Sequence, residues 1–155
     1  MANRKIVSTV LGLTAAAALT LAAIQPQPAA AEEIARPSNP GGPGAAATMK
    51  GDAQAGAKLF AVNCTPCHGA EGKGGVPNPG SADGSVPPLN PIDPTLVSKD
   101  PKVFAANLDL FLQHGSTPEG NHPAITMPAW GADKMLTQQQ IADLIAYVMS
   151  LNPAP

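Results

Sequence analysis

The segment Asn63-Cys64-Thr65-Pro66-Cys67-His68-Gly69 holds both cysteines of the chain and sets an imidazole directly behind the second. Thiols at this spacing beside a histidine suit four chemistries. A tetrahedral zinc site needs four ligands, and no second Cys pair or spaced His pair lies near. A redox-active dithiol belongs beside a strand of an α/β fold, and nothing in the chain alternates like a strand. A disulfide across so few residues closes too small a loop to stabilise much. Cys-x-x-Cys-His is also the spacing of covalent haem attachment, in which each thiol adds to one vinyl group and the imidazole approaches the iron.

The elements that must carry this segment read as helices. Asp52 is an N-cap for a first helix running from Ala53 through Phe60 toward Cys64, with Gly56 and Phe60 on one face. A second begins at Asp100-Pro101, a cap followed by proline at the first helical position. Its apolar residues are Val103, Phe104, Leu108, Phe111 and Leu112, and Gly115 stops it. Thr137 and Gln140 form a capping box for a third, whose buried side is Ile141, Leu144, Ile145, Tyr147, Val148 and Leu151. Asn152-Pro153 ends that helix.

Between the first and second helices, Gly69 to Lys99 is a loop of about thirty residues, a length that usually has a functional reason. The chain has 15 Gly, 18 Pro and only 3% aromatic residues among 155, so its own side chains supply a modest core. A large flat apolar cofactor at the centre resolves that shortage, with the loop wrapped round its edge.

The haem reading requires export, and the N-terminus offers it. Arg4 and Lys5 precede uncharged residues from Ile6 to Ile24; Pro26 and Pro28 then break any helix, and Ala29-Ala30-Ala31 suits a signal peptidase. Residues 1–31 are therefore expected to be a cleaved signal peptide. The competing reading is an uncleaved anchor, since an apolar run of this length can span a bilayer. Removing residues 1–31 takes away two bases and no acid, leaving 7 basic against 11 acidic residues, a formal charge of −4. That balance, with no basic cluster, argues against nucleic acid as a partner. Residues 32–49 are Pro/Gly/Ala-rich and read as a flexible tether, and residues 50–155 as the folded domain.

These residues resemble the small monohaem class I c-type cytochromes over roughly Lys50 to Leu151. Gly56, Phe60 and Cys64-Thr-Pro-Cys67-His68-Gly69 stand in the order of that family's first helix and haem loop. Thr126-Met127-Pro128-Ala129-Trp130-Gly131 is similar to its methionine-ligand loop, and Thr137–Leu151 to its closing helix. The resemblance implies an all-α fold of three main helices and long Gly/Pro-rich loops around one covalently bound haem c, with the first and last helices crossing through Gly56, Phe60 and Tyr147. It implies His68 and Met127 as the two iron ligands, His122 being the main competitor for the second. It also matches Pro87-Pro88-Leu89 to a stretch in which a proline carbonyl accepts the ring N–H of the proximal histidine. Pro87 then supplies the carbonyl and Leu89 packs on the ring, against the plainer reading of a turn-forming proline pair. Trp130 either packs in the core or donates to a propionate. His114 is a favourable charge at the C-terminus of its helix when protonated. Residues 74–89 depart from the family's compact members, and shielding a haem edge, contacting a partner or neither all remain open.

The implied function is one-electron transfer between redox protein partners that dock transiently, with neither enzyme activity nor a small-molecule substrate. The expected location is the periplasm or another exported site. A cytochrome subunit held by an anchor on the outer face of the cytoplasmic membrane or within a membrane oxidoreductase complex is the alternative. A haem peroxidase or ligand sensor is a further one and needs an open sixth position.

Overall fold

The computed structural model describes residues 34–153, so the expected signal peptide at 1–31 lies outside the described residues. Four helices stand in the order α1 (Ala53–Asn63), α2 (Thr65–His68), α3 (Pro101–His114) and α4 (Gln138–Leu151). Short 3-10 turns occupy Ala45–Thr48 and Ala70–Gly72. Among the described residues the only β pairing is three isolated bridges within the loops. The expected three main helices are α1, α3 and α4, and α2 is the single turn that carries the Cys-x-x-Cys-His segment.

The three longer helices, α1, α3 and α4, each start at a capping side chain. Asp52 accepts from the N–H groups of Gln54 and Ala55, and Asp100 from that of Lys102 with Pro101 at the first position. Thr137 Oγ1 accepts from Gln140 N–H while Gln140 Oε1 accepts from Thr137 N–H, closing the capping box. These bonds satisfy N–H groups that have no partner inside the helix. At the far end of α4, Asn152 donates to Val148 O and Leu89 O and accepts from Ile92 N–H, tying the loop at residues 89–92 to the helix end.

The centre of the packing is the crossing of α1 and α4. Phe60 is 2% exposed and meets Tyr147 edge-on, with ring centroids 5.2 Å apart and planes at 60°. One turn earlier, Gly56 brings its backbone directly onto α4; a Cβ there would run into the carbonyl of Asp143 and the Tyr147 side chain. Asp143, also on α4, accepts from Asp52 N–H at 2.9 Å and so holds the start of α1. Ile141, Leu144, Ile145 and Val148 complete the core beneath, with Phe104, Leu108 and Leu112 of α3 facing them.

Residues 34–49, expected as a flexible tether, lie instead against α3 and the start of α4. Ala35 N–H donates to Asn107 Oδ1, Gly44 N–H to Asp109 Oδ2 at 2.6 Å, and Ala46 N–H to Gln138 Oε1. Asn39 Nδ2 donates to His114 O, and the His114 ring donates from Nε2 to Gly42 O at 2.6 Å. Ala46 is buried in the core. The reason is on α3: Asp109 and Gln113, one turn apart, and Asn107, on another side of the helix, are polar yet buried, and backbone N–H groups are what such acceptors bind. Gln113 donates to Asp109 Oδ1 at 2.9 Å, so that carboxylate is met on both oxygens.

Replacing Gly56 by valine is expected to cost about 1–3 kcal/mol, the usual penalty for forcing extra side-chain volume into a packed contact. Guanidinium unfolding of the variant against the parent reads it, and an unchanged midpoint would mean the helices do not cross through this position.

Candidate functional site

The single turn of α2 is set by its own backbone. His68 N–H donates to Cys64 O at 2.8 Å and Cys67 N–H to the same oxygen at 3.1 Å, so both cysteines and the histidine share one turn. Pro66 sits early in that turn, where no N–H is needed. Gly69 ends it, and the chain returns so that Gly74 N–H reaches His68 O at 2.7 Å. Leu89 and Asn90 then both donate to Gly72 O, at 2.7 and 2.9 Å. This pins the Pro87-Pro88-Leu89 stretch beside α2.

The histidine is oriented by that contact: His68 Nδ1 lies 3.2 Å from Pro87 O. A carbonyl only accepts, so the proton sits on Nδ1 and Nε2 is left as the ring nitrogen with a free lone pair. Burial lowers the pKa of the ring below its ordinary 6.5 and outweighs the Pro87 bond, which acts the other way. The imidazole is therefore neutral near pH 7. Cys64 is buried and its thiol is pushed up to about 12, chiefly by desolvation and further by the neighbouring Cys67.

Both thiols and the imidazole open on a cavity of ≈ 510 Å³, a size typical of cofactor sites at roughly 300–1,000 Å³. Its walls are largely apolar, with Phe60 of α1, Leu108 and Phe111 of α3, and Leu144 and Val148 of α4. Met127, Trp130, Pro87 and Leu89 line the same cavity, so all seven site residues expected from the sequence meet there. Leu89 and Trp130 are half-buried and also pack on the core. Of the methionines among the described residues, Met127 alone lines the cavity; Met49 and Met135 are exposed and Met149 packs on the core. His122, the competing ligand, is exposed and is not part of the cavity wall.

The Met127 loop is fixed from behind. Met127 N–H donates to Ser116 O at 2.8 Å and Ser116 N–H to Met127 O at 3.1 Å. Gly131 and Ala132 donate to Leu112 O and Gln113 O at the end of α3. Gly115 makes this approach feasible, since its φ is +64° and a Cβ would strike the Met127 carbonyl.

Three contributions were not legible in the sequence. Asn78 is completely buried (0% exposed) at the cavity wall and bonds the backbone of Ile125, two residues before Met127. Asp143 and Asn152 hold the start of α1 and the loop at residues 89–92. No residue pattern marks these roles; a lone Asn between Pro77 and Pro79 reads as a turn former, and only the fold brings it to Ile125.

The donor set fits a covalently held haem better than the alternatives. Among the described residues no group of three or more His, Cys, Asp or Glu side chains is placed to hold a metal ion. No redox-fold strand flanks the cysteines. Two thiols and a neutral, oriented imidazole on one wall of an apolar cavity are the parts that attachment of a haem requires.

An all-α fold closed by the α1–α4 crossing, with Cys-x-x-Cys-His on the cavity wall, defines a class I c-type cytochrome domain. The chain belongs to the cytochrome c family, whose model matches residues 53–152. It is similar to the "Cbb3-type cytochrome c oxidase subunit FixP" of Sinorhizobium medicae (strain WSM419), at 34% identity over 103 residues. The protein of the same description from Rhizobium meliloti (strain 1021) is 33% identical over 103 residues. Each match covers 65% of this chain and 30% of the relative, so the chain matches under a third of those proteins. No solved structure gives a significant match.

Gly115→Ala is expected to cost about 1–3 kcal/mol, because it combines a left-handed backbone with a collision at Met127 O. Denaturant unfolding measures this, and a loss below a few tenths would mean that the Met127 loop does not rest on α3 in this way.

Proposed function

We propose that the domain is a one-electron carrier holding one haem c. Cys64 and Cys67 provide the two thioether bonds, His68 the proximal ligand and Met127 the sixth. The observation that carries this reading is the meeting of those four side chains on one apolar cavity, with Nδ1 of His68 taken by Pro87 O. When bound, the haem supplies Fe(II)/Fe(III) chemistry, and a Met/His ligand pair raises its potential.

The chain's residues bind, orient and exclude water. Pro87 fixes the His68 tautomer and raises its donor strength, while Leu89 and the walls from α1, α3 and α4 keep the surroundings apolar. With His68 and Met127 both holding the iron, no position would be left to a substrate, and this separates a carrier from a peroxidase or ligand sensor. The carrier takes one electron from a reduced protein and passes it to an oxidised one. The acidic balance of residues 32–155, formally −4, favours partners that present basic surface round their own redox centre.

The location follows from the chemistry of residues 1–31: an exported domain, cleaved after Ala31 and released to the periplasm. A second reading has support in the relatives, which are described as subunits of a cbb3-type cytochrome c oxidase. In it the domain is held at the outer face of the membrane and works within an oxidoreductase complex. Among the described residues no helix is long and apolar enough to cross a membrane.

In the oxidised protein a weak near-infrared sulfur-to-iron band should be present and should vanish in Met127→Ala, whose reduced form should also bind carbon monoxide. Survival of the band would remove Met127 as the ligand, and carbon monoxide binding by the reduced parent at neutral pH would favour the sensor or peroxidase. Intact-mass measurement of the mature protein should give a chain starting at Glu32 plus one haem. Retention of residues 1–31 would instead select the anchored form.

A further inference from the structure

The loop from Gly74 to Leu89 is fastened to the stretch that leads into Met127. Ala82 N–H donates to Glu119 O at 2.7 Å, and Ala124 N–H to Pro79 O at 2.9 Å. Ser81 and Gly120 pair as an antiparallel bridge. At the inner end of this seam the side chain of Asn78 does what a strand neighbour would do. Its Nδ2 donates to Ile125 O at 2.9 Å and its Oδ1 accepts from Ile125 N–H at 2.8 Å.

Asn78 is itself held rigidly. Its N–H donates to Gly84 O at 2.9 Å, and its carbonyl accepts from the N–H and the Oγ of Ser81. Ser116, Gly131 and Ala132 anchor the Met127 loop to α3 from Met127 onward. On the side leading in from Ile125, the anchor is the Gly74–Leu89 loop. An amide carries its donor and its acceptor on separate atoms and so pairs with both the N–H and the C=O of one residue; a carboxylate lacks the donor and an aliphatic group lacks both.

We propose that the Gly74–Leu89 loop is a brace for the sixth ligand, with Asn78 its positioning residue, and that it keeps external ligands from displacing Met127. This rests on the assignment of Met127 given above. Opening of the loop is the step by which an outside ligand reaches the position Met127 holds, and the paired bonds to Ile125 oppose that opening. The same seam gives the departure from compact cytochromes a task that concerns the ligand, independent of any docking partner.

The test uses the full-length haem-loaded protein in its oxidised state, titrated with imidazole while the near-infrared band is followed, with thermal unfolding recorded in parallel. Asn78→Leu keeps the branching and heavy-atom count of the side chain and removes both bonds; it should bind imidazole about tenfold more tightly. Ala82→Pro removes only the N–H given to Glu119. Ala82 is exposed and follows Ser81 in a turn closed by Gly84 N–H on Ser81 O, a place that accepts proline. That variant should fold and should bind imidazole about threefold more tightly. Thr137→Ala, which breaks the cap of α4 and none of the bonds of the seam, should lower thermal stability and leave imidazole affinity at the parent value.

The proposal is overturned if Asn78→Leu and Ala82→Pro both bind imidazole as the parent does, or if Thr137→Ala tightens binding as much as they do. Should Asn78→Leu fail to mature, the comparison of Ala82→Pro with Thr137→Ala decides alone. Failure of the underlying ligand assignment shows elsewhere, as a band that persists in Met127→Ala.

Discussion

The close approach of α1 and α4 at Gly56 governs where everything else can stand. With no side chain at that position, the α1 backbone rests on the Asp143 carbonyl, and the Phe60–Tyr147 contact follows one turn later. The end of α1 is thereby fixed relative to Leu144 and Val148, which form part of the cavity wall. Since Cys64 closes α1 and opens α2, the same contact decides where the two thiols and the imidazole face. A bulkier residue at 56 would push the helices apart and move the thiols and imidazole with them, because interiors packed this tightly pass displacement along.

With almost no β pairing among the described residues, the long loops still need their backbone satisfied, and here side-chain amides and carboxylates do so. Asn78 serves Ile125, Asn107 serves Ala35 and Leu96, Asp109 serves Gly44, and Asn152 serves Leu89 and Ile92. Each is a polar group in or near the core whose partner is main chain distant in sequence. Among the described residues no buried side-chain polar atom lacks a partner. Such bonds add little net stability apiece, yet breaking one leaves a desolvated group unpaired, and that asymmetry makes them specify a loop path.

How far the sequence reveals this depends on the range of the interaction. The caps at Asp52, Asp100 and Thr137 and the stop at Gly115 are local chemistry, and the helices begin and end at them. The Cys-x-x-Cys-His turn is local too, and it pointed to the right cofactor class. The path of Pro87 to His68 was legible only through resemblance to a family, because nothing within the Pro-rich loop requires its carbonyl to meet that ring. Residues 34–49 were misread for a related reason. Their composition is that of a tether, and what holds them is the polar side chains of Asn107 and Asp109 on α3 and of Gln138 on α4, which look like solvated positions when each helix is viewed alone. Asn78 belongs with these: its role exists only once Ile125 is beside it.

The two sides of the site are built by different means, and this bears on what limits the protein. His68 stands within a hydrogen-bonded turn continuous with α1, so its position comes from helical structure that is short-range and stiff. Met127 stands on a loop whose anchors are long-range, reaching to Ser116, to the end of α3 and, through Ile125, to Asn78. Short-range contacts survive local fluctuation, whereas loop anchors open at lower free energy than the core. On the proposed reading, in which His68 and Met127 would both hold the iron, the methionine side is the one that depends on how well distant loops are joined, and a loop that bonds the segment before Met127 would steady it without touching either side chain's donor atom.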